Sequence, residues 1–311
     1  MNRLTSMKPS QVSDLDINQN ILDSYFAERQ MDKLAHEISQ DIQSLKYLDQ
    51  CINNFFVMKD VLYADTELQK ISNSSEAITT MSKKAQGTMA KMTDYMGTFF
   101  KWTDSVLLVS LKNTLRITTA LTKILRANPE KKDQLVKVYD TKDIQVQDYI
   151  LFIRNVNKMN SEIVDNVEKL RNITGDDSIT ESSAVKEQVA NDTAKYDEAI
   201  TAFINTRNDE EKKLTPEDGH WTQDSYIQQL DGAIQEAIAA LQKIKRMKST
   251  LQQIVNNMKT LVDTNARKTN NIKLDTLKEL FLNKIKTNLG HLSTIIIYVG
   301  KKTQVMLKAM E

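Results

Sequence analysis

Three histidines, one cysteine and adjacent acidic pairs such as Asp176–Asp177 and Glu210–Glu211 are the residues that could carry chemistry in this 311-residue chain. His36, His220 and His291 lie far apart, and none falls in an HExxH or comparable ligand spacing. His220 follows Glu217, Asp218 and Gly219, an acidic turn in which an imidazole could hold a metal or titrate near about pH 6. A solvated loop histidine accounts for the same pattern. His291 stands in an apolar run and reads as a core histidine with a hydrogen-bond partner. Asp176–Asp177 and Glu210–Glu211 are sequence neighbours, so on a helix their carboxylates diverge. The Glu-x-x-His of a di-iron bundle is absent. Cys51 has no His close in sequence and falls on a helical stripe, where a buried, inert thiol is the default. A single cysteine excludes an intramolecular disulfide and a cysteine metal cluster. No Walker loop, GxGxxG or GxSxG occurs, and 7 glycines leave little material for a phosphate cradle. The sequence therefore predicts no catalytic residue, no metal ligand, no cofactor and no enzyme.

The elements that any site must sit on are helices. Only 7 Gly and 3 Pro occur, 27% of residues are charged, and apolar residues recur every three or four positions. The clearest stripe runs over residues 226–262: Ile227, Leu230, Ile234, Ala237, Leu241, Ile244, Met247, Leu251, Ile254, Met258 and Leu261. A repeat near 3.5 residues keeps one seam against a partner helix, and the doubled three around Met247 overwinds the coil without ending it. Such a helix extends about 55 Å, longer than a compact domain of this size is wide. Aromatic residues are sparse at 6%, whereas 13 Met suit irregular helix interfaces.

Further helices are predicted along the chain. The first is capped by Asp14 or Asp16 and carries Ile21, Tyr25, Phe26, Leu34, Ile38, Ile42 and Leu45, continuing through Phe55 to Leu62. Asn73, Ser74, Ser75 and Glu76 read as an interruption and a new cap. A second helix covers 76–126, apolar most of the way round between Phe99 and Leu111, so several neighbours must enclose it. Pro129 ends it. Residues 130–142 are a connector or short helix. A third helix spans 143–173, and Thr174, Gly175 and Asp176 break it. Residues 181–213 form the most polar helix, and the stretch from Leu214 through Pro216 to Trp221 is the next break. The last segment, 274–310, is apolar on nearly every side between Leu292 and Val299.

The fold class read from this is all-α: an elongated bundle of long coiled-coil helices. A multi-helix body, residues 1–127 and 226–311, holds both termini. Residues 128–225 form a thinner mid-chain hairpin with a distal head at about 174–223. The whole is one rod-like unit, and no repeat of solenoid length is present.

Charge and hydropathy narrow the partners. From Lys243 onward fourteen Lys and Arg face four Asp and Glu, although the whole chain nets +1. Such a basic end could meet anionic lipid, a partner or only solvent. Nucleic acid is excluded, because the cations alternate with core residues and no aromatic stacking platform accompanies them. The first residues lack the apolar core of a secretory signal, and the longest apolar runs are too short for a membrane span.

Two function classes survive: a coiled-coil structural or adaptor protein, and a soluble protein that rearranges to enter a membrane. A ring of amphipathic helices could show lipid an apolar face and a lumen a polar one, with backbone groups satisfied within each helix. Four long helical stretches, 76–126, 143–173, 181–213 and 226–262, in an all-α chain of 35.6 kDa resemble the cytolysin A-type α-pore-forming toxins. The chain departs from them in lacking an obvious apolar hairpin in the head, and so is more similar to the B-type subunit of the two-component xenorhabdolysin group. The resemblance covers most of the chain as pattern and rests on no short motif. It implies secretion from a bacterium without a recognisable signal peptide, hetero-oligomerisation with an A-type toxin subunit, and hemolysis through pores in the target-cell lipid membrane. Carried onto this sequence, it makes Phe203, Ile204, Leu214, Pro216 and Trp221 membrane-contact candidates. Trp221 suits the lipid–water boundary, or packs as a loop Trp on the hairpin end. Gly175 and Gly219 are hinge candidates, or plain helix caps.

Overall fold

The structure, a computed structural model, describes residues 14–59, 67–130, 138–141, 144–172, 178–210, 214–217, 224–257, 273 and 275–310. Its long elements are helices: α1 (Asp14–Lys59), α2 (Glu67–Trp102), α3 (Leu108–Ala127), α4 (Val146–Asn172), α5 (Ser178–Glu210), α6 (Asp224–Asn257) and α7 (Lys286–Met310). At 46 residues, α1 runs for about 69 Å. The bundle is all-α and elongated. It carries one addition, an antiparallel ribbon of β1 (Val138–Thr141) and β2 (Leu214–Glu217).

α7 threads the middle of the bundle. Its Lys286 pairs with Asp32 of α1, and its Ile296 carbonyl accepts a bond from Thr114 of α3. Asn288 donates to Asn160 of α4, and Tyr298 stacks near Arg207 of α5. These pairings make α7 parallel to α3 and α5 and antiparallel to α1 and α4. α6 closes the other side, where Lys245 pairs with Asp104, and Asn157 of α4 donates to the Ala233 carbonyl. The start of α1, the ribbon and the end of α7 consequently lie at one end of the molecule.

The dense apolar stretches meet as their composition requires. Phe99 packs edge-on to Phe281 at 4.9 Å between ring centroids, and Tyr95, Phe100 and Trp102 complete the cluster. The stripe of α6 from Ile227 to Leu251 is buried, Met247 included, so the helix passes through the overwound point without a break.

Two segments depart from α geometry. Thr103–Leu107 and Lys278–Ile285 are π-helical. Each accommodates extra residues in a turn, which re-aims the side chains on either side. Both adjoin the aromatic cluster, since Phe281 lies within the second and Phe99, Phe100 and Trp102 precede the first.

Several expectations are corrected. The interruption at 73–76 does not exist: α2 begins at Glu67 and runs through Asn73, Ser74, Ser75 and Glu76. Ser and Asn cost a helix interior only a few tenths of a kcal/mol each, and neither Gly nor Pro is present to do more. The connector 130–142 contains β1, whose partner lies beyond two helices. Within the stretch 174–223, α5 is a 33-residue helix about 50 Å long, with β2 beyond its C-terminal end. α4 packs between α5, α6 and α7 and buries Ile150, Phe152, Ile153, Val156, Met159 and Ile163 there.

Candidate functional site

Each residue singled out in the sequence has a place in this frame. Phe203 and Ile204 sit on α5 near the ribbon and are partly buried. The Phe203 ring lies 4.7 Å from that of Phe152 and 5.5 Å from that of Tyr149, so it is a packing residue between α5 and α4 in this state. Leu214 and Pro216 are on β2, opposite Thr141 and Tyr139. Proline tolerates this position because a two-stranded ribbon leaves every residue on an edge. Gly175, Gly219, Trp221 and His220 lie outside the described residues. The structure brings Phe203 and Ile204 toward the end that holds Leu214 and Pro216.

The two described histidines stand apart, on α1 and α7. His36 is exposed and shares a 2.9 Å hydrogen bond with Gln40. His291 is half-buried on α7, and burial with the nearby Lys286 charge pushes its pKa below the usual imidazole value. No group of three or more His, Cys, Asp or Glu among the described residues could hold a metal ion. The side chain of Cys51 lies outside the described set.

Polar groups within the helix seams are the feature that sequence reading missed. Asp231 of α6 accepts bonds from Thr118 and Thr119 of α3, and desolvation still raises its pKa. Asn288 and Asn160 share a buried bond of 3.1 Å. Lys302 is buried against the faces of Tyr149 and Tyr298, with its Nζ 5.5 and 4.7 Å from their centroids. The only trace of these in the sequence is a polar residue on an apolar stripe, which is equally the mark of a solvent-facing turn.

A groove of about 330 Å3 opens between α1, α5 and α7 at the end holding both termini of the helical array. Arg207, Lys301 and Glu28 supply its charges, and Tyr25 and Tyr298 its aromatic walls. Burial raises the Glu28 pKa, although Ser24 donates a 3.2 Å bond to its carboxylate and the Lys286 charge opposes the rise. Ser293 also lines the groove, within the apolar run 292–299. A second, smaller hollow of about 270 Å3 between α4 and α5 is bordered by Leu151, Phe152 and Phe203.

No helix among the described residues is long and apolar enough to cross a membrane. Comparison with family models, curated proteins and solved structures finds no match to this chain.

Proposed function

We propose that this chain is the water-soluble subunit of a two-component α-helical pore-forming cytotoxin, similar to the B-type subunit of the xenorhabdolysin group. It carries no enzymatic activity, is secreted, and joins an A-type partner in the target-cell membrane. The observation that supports this reading is a bundle of helices longer than the roughly 30 Å hydrocarbon core, none apolar enough to span it alone. Helices of that kind enter lipid only as two-faced members of a closed assembly, where polar faces meet water or one another. The hydrogen-bonded seams at Asp231–Thr118 and Asn288–Asn160 are consistent with this, because such groups can trade an intramolecular partner for an intermolecular one.

Dye-loaded vesicles and erythrocytes provide the test. The purified chain alone leaves both intact, and adding the A-type component, sought as the product of an adjacent gene, releases dye and haemoglobin. Intact vesicles in every combination exclude the pore reading. A non-enzymatic structural or adaptor coiled coil is the second reading, favoured by α5, whose outward face is exposed from Glu181 to Asn208. In that case a partner helix protects α5 amides from hydrogen exchange and no membrane is involved.

A further inference from the structure

Ser293 presents an anomaly. Its side chain is 2% exposed, yet its Oγ has no hydrogen-bond partner among the described residues. A buried hydroxyl without a partner is rare, and this one belongs to a residue that lines the groove. The same groove carries two cations, Arg207 and Lys301, against the single carboxylate of Glu28. Arg207 is held over the Tyr298 ring at 5.1 Å, which orients its guanidinium without neutralising it.

The mouth of the groove is apolar. Tyr25 lines it while remaining 57% exposed, and Leu22 and Phe26, 50% and 63% exposed, share its face of α1 at helical spacing. Arg29 and Lys33 continue that face, both exposed. Free-standing aromatic and aliphatic side chains beside cations match the boundary of an anionic bilayer, where rings sit at headgroup level and basic residues meet phosphate.

We propose that the α1–α5–α7 groove binds the headgroup of an anionic phospholipid. The phosphodiester lies between Arg207 and Lys301, and Leu22, Tyr25 and Phe26 enter the interface. The proposal concerns recognition of the membrane surface before any insertion. It stands independently of pore formation, because binding is read on the chain alone.

Flotation of the full chain with phosphatidylcholine vesicles, with and without phosphatidylserine, tests it. The chain floats with the serine-lipid vesicles and stays behind with the neutral ones. Arg207→Gln/Lys301→Gln lowers vesicle affinity about tenfold or more, as expected for two cations at an anionic surface. Lys83→Gln/Lys186→Gln, which removes the same charge from exposed positions elsewhere, lowers it less than about threefold. Lys301→Gln alone, at an exposed site, serves should the double variant lose its helical circular dichroism. Phe26→Ser weakens binding to vesicles and leaves any binding of soluble glycerophosphoserine unchanged. Three results overturn the proposal: no flotation of the wild-type chain, equal losses in the two double variants, or binding of soluble glycerophosphoserine without binding of vesicles. The last assigns the groove to a free phosphoester.

Discussion

Gly300 on α7 and Thr114 on α3 approach so closely that a Cβ on the glycine would lie 2.7 Å from the threonine Oγ1. That oxygen donates to the Ile296 carbonyl one turn earlier, so the contact is also where α3 is stitched to the central helix. Gly300→Ala forces the helices apart or breaks that bond. A loss of about 1–3 kcal/mol follows, read as a lowered midpoint in urea. Thr114→Ala removes the clashing atom, leaving the next nearest at 3.7 Å, so the double variant recovers most of the loss. Simple additivity of the two changes overturns the account.

Trp102 anchors α1 through one hydrogen bond. Its Nε1–H donates to Ser24 Oγ at 3.0 Å in a buried setting. Ser24→Ala leaves the indole N–H unpaired and costs about 1–3 kcal/mol. Trp102→Phe in the same background removes the orphan donor and returns part of that cost. Thermal melts of the four variants supply the cycle.

The buried Asn288–Asn160 pair behaves asymmetrically. Asn160→Ala leaves the Asn288 amide only the Met159 sulfur at 3.2 Å, a weak acceptor, and destabilises by about 1–3 kcal/mol. Asn160→Leu with Asn288→Leu makes the seam wholly apolar and is neutral or stabilising. On the proposed function this double variant releases dye more slowly with the partner component, because an apolar seam gives up its neighbours less readily. A faster release contradicts the role assigned to the polar seams.

His291 gives the bundle an acid-sensitive increment of known sign. Its folded pKa lies below the ordinary 6.5 because burial disfavours the imidazolium and Lys286 repels it. The unfolded chain therefore takes up the proton first, and stability falls as pH drops from about 6.5 toward the folded pKa. Glu28 and Asp231 act oppositely. Their raised folded pKa values make the native state bind protons first, so acidification toward the ordinary carboxylate range favours the fold. Urea midpoints taken between pH 7.5 and 5.5 (chosen about one unit either side of 6.5) should fall more in the wild type than in His291→Gln. Parallel curves reject the assignment.

Helix identity, most breaks and the apolar seams were legible in the amino-acid order alone. An unbroken three-to-four repeat has one low-energy solution, as 227–251 on α6 illustrates, and Pro129 stops α3 by local sterics. Local order also named the dense stretches 99–111 and 292–299, and residues of both belong to the buried core. What required the tertiary structure is everything that joins residues far apart. β1 finds β2 only once α4 and α5 have folded back on each other, and no pattern within four residues announces such a pairing. The π-helical turns adjoin aromatic rings contributed by different helices. The groove, too, takes Tyr25, Arg207 and Ser293 from three helices, and a serine in an apolar run acquires meaning only when its surroundings withhold a partner. Periodicity dictates which face of a helix is buried; which neighbours bury it, and which polar atoms they leave unpaired, is settled by packing in three dimensions.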